Sequence, residues 1–406
     1  MAKKFILTAY IGRFGPPHNG HAEVFHRARQ KSDAVIVLIG STNWARNPKN
    51  PWNYQERKSI IEAIANRPWH PGQKLAPVFI EGIRDFMYND QLWIANVRSK
   101  VNACISKICQ GNPSIQPGDV EVRITGADRD SSTFYLKFFP DWVQDLVDED
   151  MEVSKFLTAT TVREIYFGRT FDGNPITPQQ AEMMLKSFVP PETIEFLRKF
   201  EGTPEYAQLQ REHAFNIDYR KPYQVRKPKF MKNELGEMVM VDPGLPYEVM
   251  FQTVDNVIFQ TGHVLLIKRR SEPGKGLWAL PGGFVNPRER LFDAAIRELK
   301  EETRLKVPEA ILRSSMFFKE DFDHPDRSLR GRTLTKTFFY ELPDHVVDGK
   351  VVMPQIKGAD DAEEAIWMPI DDVFSNPDFE TRFFEDHHLQ IEFGIWKLRS
   401  KREGSF

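Results

Sequence analysis

The sequence predicts two α/β domains in tandem: a doubly wound parallel sheet in the first half and a mixed α+β domain in the second. Three observations carry this reading. Apolar runs alternate with helical patterns through the first half, a proline-rich basic stretch follows, and from Met250 the texture turns β-rich around one long helix. A chain of 406 residues is also longer than one hydrophobic core usually serves.

Each element has its own warrant. Residues 5–11 (FILTAYI) and 34–40 (AVIVLIG) are predominantly apolar runs, as parallel strands covered on both faces require. Shorter strands are expected at 77–80 and 120–126, and helices at 18–29 and 55–66. Such alternation builds an open sheet that binds ligands at the carboxyl ends of its strands. A last helix, 192–200, opens after Val189-Pro190-Pro191. Residues 201–246 then lose clear periodicity, with prolines at Pro204, Pro222, Pro228, Pro243 and Pro246, and read as the interdomain connection. Beyond it come a hairpin turning at Gln260-Thr261-Gly262, a helix over 290–303, a strand over 336–342 and a late helix over 377–387. The expected domains are therefore 1–200 and 247–406, joined by 201–246.

Composition excludes several function classes. The formal net charge is −2, so no global basic field draws in nucleic acid or an anionic membrane. The basic residues between Arg220 and Lys232 read as a solvated connection rather than a nucleic-acid surface, for want of an aromatic stacking platform. No apolar stretch approaches the length of a membrane span. Two cysteines, Cys104 and Cys109, make neither a disulfide framework nor a cysteine zinc site, as expected of a cytoplasmic protein.

The first chemical constellation lies between the first strand and the first helix: G-R-F-G-P-P-H-N-G-H, from Gly12 through Arg13, Phe14, His18 and Gly20 to His21. Glycines let the backbone approach a ligand, and the helix start favours a phosphate. Two histidines three apart face one side and can donate to phosphate oxygens as pyrophosphate departs. A second segment, Thr158-Ala159-Thr160-Thr161-Val162-Arg163, can cap a helix and point Arg163 at the same site. The H-x-G-H spacing after a strand resembles the nucleotidylyltransferase superfamily, and Gly-Arg-Phe before it sharpens the likeness to the archaeal-type nicotinamide mononucleotide (NMN) adenylyltransferases. That resemblance implies a Rossmann-like fold, with ATP held by Gly12, Arg13, Phe14, Gly20, Asp128, Thr158, Thr160 and Arg163. Trp52, Arg57 and Trp93 are the candidates for the nicotinamide nucleotide, a tryptophan face being suited to a pyridinium.

The second constellation runs from Gly283: five residues to Glu289, seven more to Arg297-Glu298, then Leu299, one residue, and Glu301-Glu302. Glu298, Glu301 and Glu302 fall at i, i+3 and i+4, so one helical face carries three carboxylates, a set suited to Mg²⁺ or Mn²⁺. Arg297 is expected to orient an acid rather than touch substrate. The spacing resembles the Nudix box, which implies metal-assisted hydrolysis of a nucleoside diphosphate linked to another group. Arg304 stands where that family carries the glycine of a left-handed helix cap. The loop from Asp321 to Arg327, with Arg330 and Arg332, is a further candidate for phosphate contact.

Together the two motif sets resemble the bifunctional NMN adenylyltransferase/Nudix proteins of bacteria and phages. The resemblance implies NAD synthesis from NMN and ATP in front and ADP-ribose hydrolysis behind, with small nucleotides rather than nucleic acid or membrane as partners. It leaves room for a homo-oligomer, for another phosphate acceptor in front, and for another dinucleotide or a sensing role behind.

Overall fold

The computed structural model describes residues 4–67, 75–127, 131–147, 158–169, 174–232, 238–375 and 377–404. Two compact units form, residues 1–210 and 211–406.

The first unit holds β1 (Phe5–Gly12), α1 (Asn19–Lys31), β2 (Ala34–Ile39), α2 (Tyr54–Asn66), β3 (Val78–Gly82), α3 (Asp90–Gly111), β4 (Val120–Ala127), β5 (Val143–Val147), α4 (Ala159–Tyr166), α5 (Pro178–Phe188), α6 (Pro191–Glu201) and the start of α7 (Pro204–Arg220). Its five strands run in the order β3-β2-β1-β4-β5, and every pairing is parallel. The apolar runs are explained by burial on both faces. In β2, Ala34, Ile36 and Leu38 enter one core beneath α3, whereas Val35, Val37 and Ile39 enter the other beneath α1 and α2. The strand order reverses between β1 and β4, so a crevice opens at their carboxyl ends. A third core joins α4, α5 and α6 around Trp52.

The second unit holds β6 (Lys229–Lys232), β7 (Met238–Asp242), β8 (Phe251–Gln260), β9 (His263–Arg269), β10 (Trp278–Ala279), β11 (Gly282–Phe284), α8 (Leu291–Thr303), α9 (Glu309–Ser315), β12 (Met316–Phe322), β13 (Thr333–Glu341), β14 (Val346–Val347), β15 (Lys350–Val351), β16 (Ala362–Pro369), α10 (Ile370–Ser375), α11 (Pro377–Glu380) and α12 (His387–Arg402). Its mixed sheet runs β10-β9-β8-β13-β12, with β11 on β8 and β16 on β9. The β8–β9 hairpin turns at Thr261 and Gly262, both with positive φ, which matches the twist of the flanking strands. The core beneath α8 and the core around Ile391 and Leu398 of α12 cover the sheet.

Two expectations are corrected. The late helix over 377–387 is instead a four-residue α11 and the separate sixteen-residue α12 starting at His387. The buried face of α12 carries His387, His388 and Gln390 beside its apolar residues, so its apolar pattern is broken. Residues 201–246 are not aperiodic throughout, because α7 occupies 204–220. Its buried positions are Leu209, Glu212, His213 and Asn216, a helical stripe hidden by being mostly polar. The division between the units falls within this helix.

Candidate active sites

In the first unit, the loop after β1 is drawn tight. Phe14 adopts φ 50° and turns its ring back beneath Gly12, where an added Cβ would meet it at 3.0 Å. His18 caps α1. Its Nδ1 accepts from the His21 amide at 3.4 Å, and the His21 Nδ1 accepts from the His18 amide at 3.2 Å. This reciprocal box places the proton of each neutral ring on Nε2, and the rings lie 3.7 Å apart. Two N–H donors thus stand at a helix start, as charge developing on phosphate oxygens requires.

The Thr158 segment reaches the same loop. Thr158 caps α4 by accepting from the Thr161 amide at 3.1 Å. Arg163 is buried, donates to the Gly15 carbonyl at 2.7 Å and to the Thr160 hydroxyl at 2.9 Å, and so ties α4 to the histidine loop. Burial, then the nearby Arg13, lowers its guanidinium to about 10, still cationic at neutral pH. Arg13 itself is exposed, and Gly20 lies in the first turn of α1. Gly12, Arg13, Phe14, His18, Gly20, His21, Thr160 and Arg163 therefore gather around one loop. Asp128 lies outside the described residues.

Other candidates are placed differently. Trp52 is fully buried among Tyr166, Phe196 and Phe200, with no open face for a pyridinium. Trp93 packs on Tyr135, Phe138 and Phe139. Arg57 is buried and donates to the carbonyls of Arg13, Gly40 and Ser41. It fixes the loops after β1 and β2 to each other.

In the second unit, α8 presents its acids as the spacing requires. Arg297 binds Glu289 through Nε at 2.9 Å and Nη2 at 2.8 Å, and reaches Glu298 at 2.7 Å and Glu301 at 3.0 Å through Nη1. The arginine holds Glu289 down to about 2. Glu302 is buried and accepts from the Gly282 amide at 2.9 Å. Burial raises its carboxyl well above the ordinary range and also raises Glu298. At Gly283 an added Cβ would meet the Glu298 carboxylate at 2.7 Å, so a side chain there would displace that carboxylate.

No three described His, Cys, Asp or Glu side chains converge as a ready metal cage. The donor chemistry nevertheless fits a hard dication: oxygen-only ligands on one helical face, two of them disfavoured as anions by burial until a cation joins them. Arg297 is the group that holds the acids together meanwhile. A bound dication would be reached by Glu298, Glu301 and Glu302 once Glu298 and Glu301 turn from it.

The loop before Gly283 is fastened by two residues that the sequence motifs do not mark. Asn256 donates to the Pro281 and Ala295 carbonyls, each at 3.0 Å, and His387 Nδ1 accepts from the Leu280 amide at 2.8 Å. Beneath lies a buried network in which Arg327 grips Asp386 at 2.8 and 3.0 Å. Arg327 is therefore a core ion pair, not the phosphate contact expected of its loop. Arg269 acts on the Glu302 carboxylate and lies 4.0 Å above the Phe384 ring, and Arg330 lies over both Phe284 and Phe384. The Lys268-Arg269-Arg270 run at a strand end was the available signal for Arg269.

A parallel sheet with paired histidines at its switch point, followed by a carboxylate ladder on a sheet-packed helix, defines a two-domain nucleotide enzyme: a nucleotidyltransferase and a Nudix hydrolase. Comparisons with known proteins agree. Residues 9–100 match the cytidylyltransferase-like family and residues 251–387 the Nudix domain. The nicotinamide/nicotinic acid mononucleotide adenylyltransferase of Acinetobacter baylyi is 32% identical over 210 residues, 52% of this chain and 94% of that one. The ADP-ribose pyrophosphatase of Methanocaldococcus jannaschii is 34% identical over 120 residues, 30% of this chain and 62% of that one. The crystal structure of a bifunctional NMN adenylyltransferase/ADP ribose pyrophosphatase from Francisella tularensis, complexed with AMP and a manganese ion, is 30% identical with a TM-score of 0.74, over 97% of this chain and 99% of that one. The chain belongs to the family of bifunctional NMN adenylyltransferase/ADP-ribose pyrophosphatases.

Proposed function

We propose that the first unit transfers AMP from ATP to NMN, giving NAD and pyrophosphate, and that the second cleaves ADP-ribose to AMP and ribose 5-phosphate. The observation that carries this is the pairing, in one chain, of the His18–His21 box under Arg163 with the carboxylate face of α8.

In the first reaction an oxygen of the NMN phosphate attacks the α-phosphorus of ATP in line, and the bond to the β-phosphate oxygen breaks. The acceptor is already anionic near neutral pH, so no protein base is needed. His18 and His21 would donate from Nε2 to the phosphate oxygens, while Arg13 and Arg163 offset charge on the leaving pyrophosphate. Thr158 and Thr160 hold the start of α4 and the arginine in place.

In the second reaction water attacks one phosphorus of ADP-ribose and the bridging P–O bond breaks. A dication on Glu298, Glu301 and Glu302, Mg²⁺ or Mn²⁺, would polarise the pyrophosphate and acidify a bound water. Arg297 keeps Glu289 ionised and orders Glu298 and Glu301, and Gly283 leaves room for the Glu298 carboxylate. The thiols of Cys104 and Cys109 are both free, in keeping with a cytoplasmic setting. No described helix is long and apolar enough to cross a membrane.

The test gives the full-length protein ADP-ribose with Mg²⁺ and, separately, ATP with NMN. AMP plus ribose 5-phosphate from the wild type but not from Glu302→Gln, and NAD from both, is the expected result. Intact ADP-ribose in the wild-type reaction removes the hydrolase reading.

A further inference from the structure

The Nudix match begins at residue 251, yet the second unit begins at 211. The residues between include the carboxyl half of α7, where Glu212 lies in the field of Arg269 and Tyr219 in that of Arg330. Glu212 is buried beside Glu272, Glu385 and Arg269. Tyr219 lies 5.9 Å from Phe251 and within the field of Arg330. Phe251 lies 5.9 Å from Phe284, the residue after Gly283, and Arg330 sits 5.3 Å above that ring. Aromatic faces thus run without a break from α7 to the start of the Nudix box.

Asn216 lies on the same face of α7, one turn from both Glu212 and Tyr219. It is 3% exposed, and neither its Nδ2 nor its Oδ1 has a hydrogen-bond partner among the described residues. A buried amide with both ends unsatisfied is costly unless something else completes it. A carboxamide carries one donor edge and one acceptor edge side by side, the complement of an adenine edge, with its ring-nitrogen acceptor and exocyclic amine.

We infer that the carboxyl half of α7 is a wall of the Nudix nucleotide pocket, with Tyr219 stacking the base and Asn216 reading it as adenine. The inference rests on the hydrolase reading above and deepens it by assigning base selectivity to residues outside the Nudix match. Stacking tolerates any base, whereas a bidentate amide contact does not, so the two residues have separable signatures.

The experiment measures kcat and KM of the full-length protein for ADP-ribose and for its guanine and hypoxanthine counterparts. Wild type, Asn216→Ala and the half-exposed Tyr219→Leu are compared. Asn216→Ala is expected to raise KM for ADP-ribose by about tenfold to a hundredfold, with kcat retained and the preference for adenine lost. Tyr219→Leu is expected to raise KM for all three bases alike, preference intact. An Asn216→Ala enzyme with wild-type KM and base preference overturns the inference, as does a Tyr219→Leu enzyme with unchanged KM. If Asn216→Ala is recovered unfolded, Tyr219→Leu alone decides. A wild type inert towards all three compounds overturns the hydrolase reading and this inference with it, a result distinct from unchanged selectivity.

Discussion

Arg304 ends α8 in the left-handed region, with φ 51° and ψ 27°, where the resembled family carries glycine. The helix keeps its cap geometry and bears the steric cost of a side chain there. Arg304→Gly should therefore raise the stability of the second unit by about 1 kcal/mol, read from the shift in its denaturant midpoint. At the first site, His18→Ala removes one of two aligned donors and should slow adenylyl transfer by about a hundredfold to a thousandfold. ADP-ribose cleavage by the same protein should not change. Individual residues were legible in the sequence where the motif is local: the histidine box and the α8 acids are spaced within a few turns of one helix. The burial of Trp52 and Arg57 was not legible because their partners arrive from afar. Tyr166, Phe196 and Phe200 close over the indole, and Gly40 and Ser41 absorb the guanidinium.

Among the elements, α7 shows why patterns fail. Its buried stripe contains Glu212, His213 and Asn216, so a search for apolar periodicity passes over it. Tyr219 and Tyr223 are aromatic residues beside the basic stretch, and both lie against Phe251 of the second unit. Glu212 has a measurable consequence. Burial first, then Glu272 and Glu385, pushes its carboxyl up to about 8, with Arg269 opposing. A folded-state value raised above the unfolded one favours the native state at low pH, and that advantage is lost as pH rises from the ordinary 4.5 through about 8. Stability of the second unit should fall across that window in the wild type. In Glu212→Gln the decline should be smaller, as followed by denaturant melts at stepped pH; identical slopes would place the ionised carboxylate in water. Strands β1 and β2, by contrast, were plain from sequence, because burial on both faces leaves their runs almost wholly apolar, whereas β5, which carries Gln144 and Asp145, has no such run to announce it.

For the molecule as a whole, the two chemistries should respond separately to damage. Chelation of divalent cations should stop ADP-ribose cleavage, and added Mn²⁺ or Mg²⁺ should restore it, because Glu298, Glu301 and Glu302 are the groups left to meet the phosphates and they repel them. The two-part architecture followed from length and motif order. The place where one part ends did not, since the division falls inside a helix rather than in an irregular stretch.

That division has a bearing on how such a gene could be split. A cut at the edge of the Nudix match would look natural, yet it would release a hydrolase without the half-helix that packs on Phe251 and carries Asn216. A cut after α6 would instead strip the transferase of Tyr206 and Leu209, which pack into its helical core. Neither half can be inherited cleanly without a piece of the other's helix. Fission into two genes would demand that this helix first be duplicated, whereas fusion, once made, resists reversal.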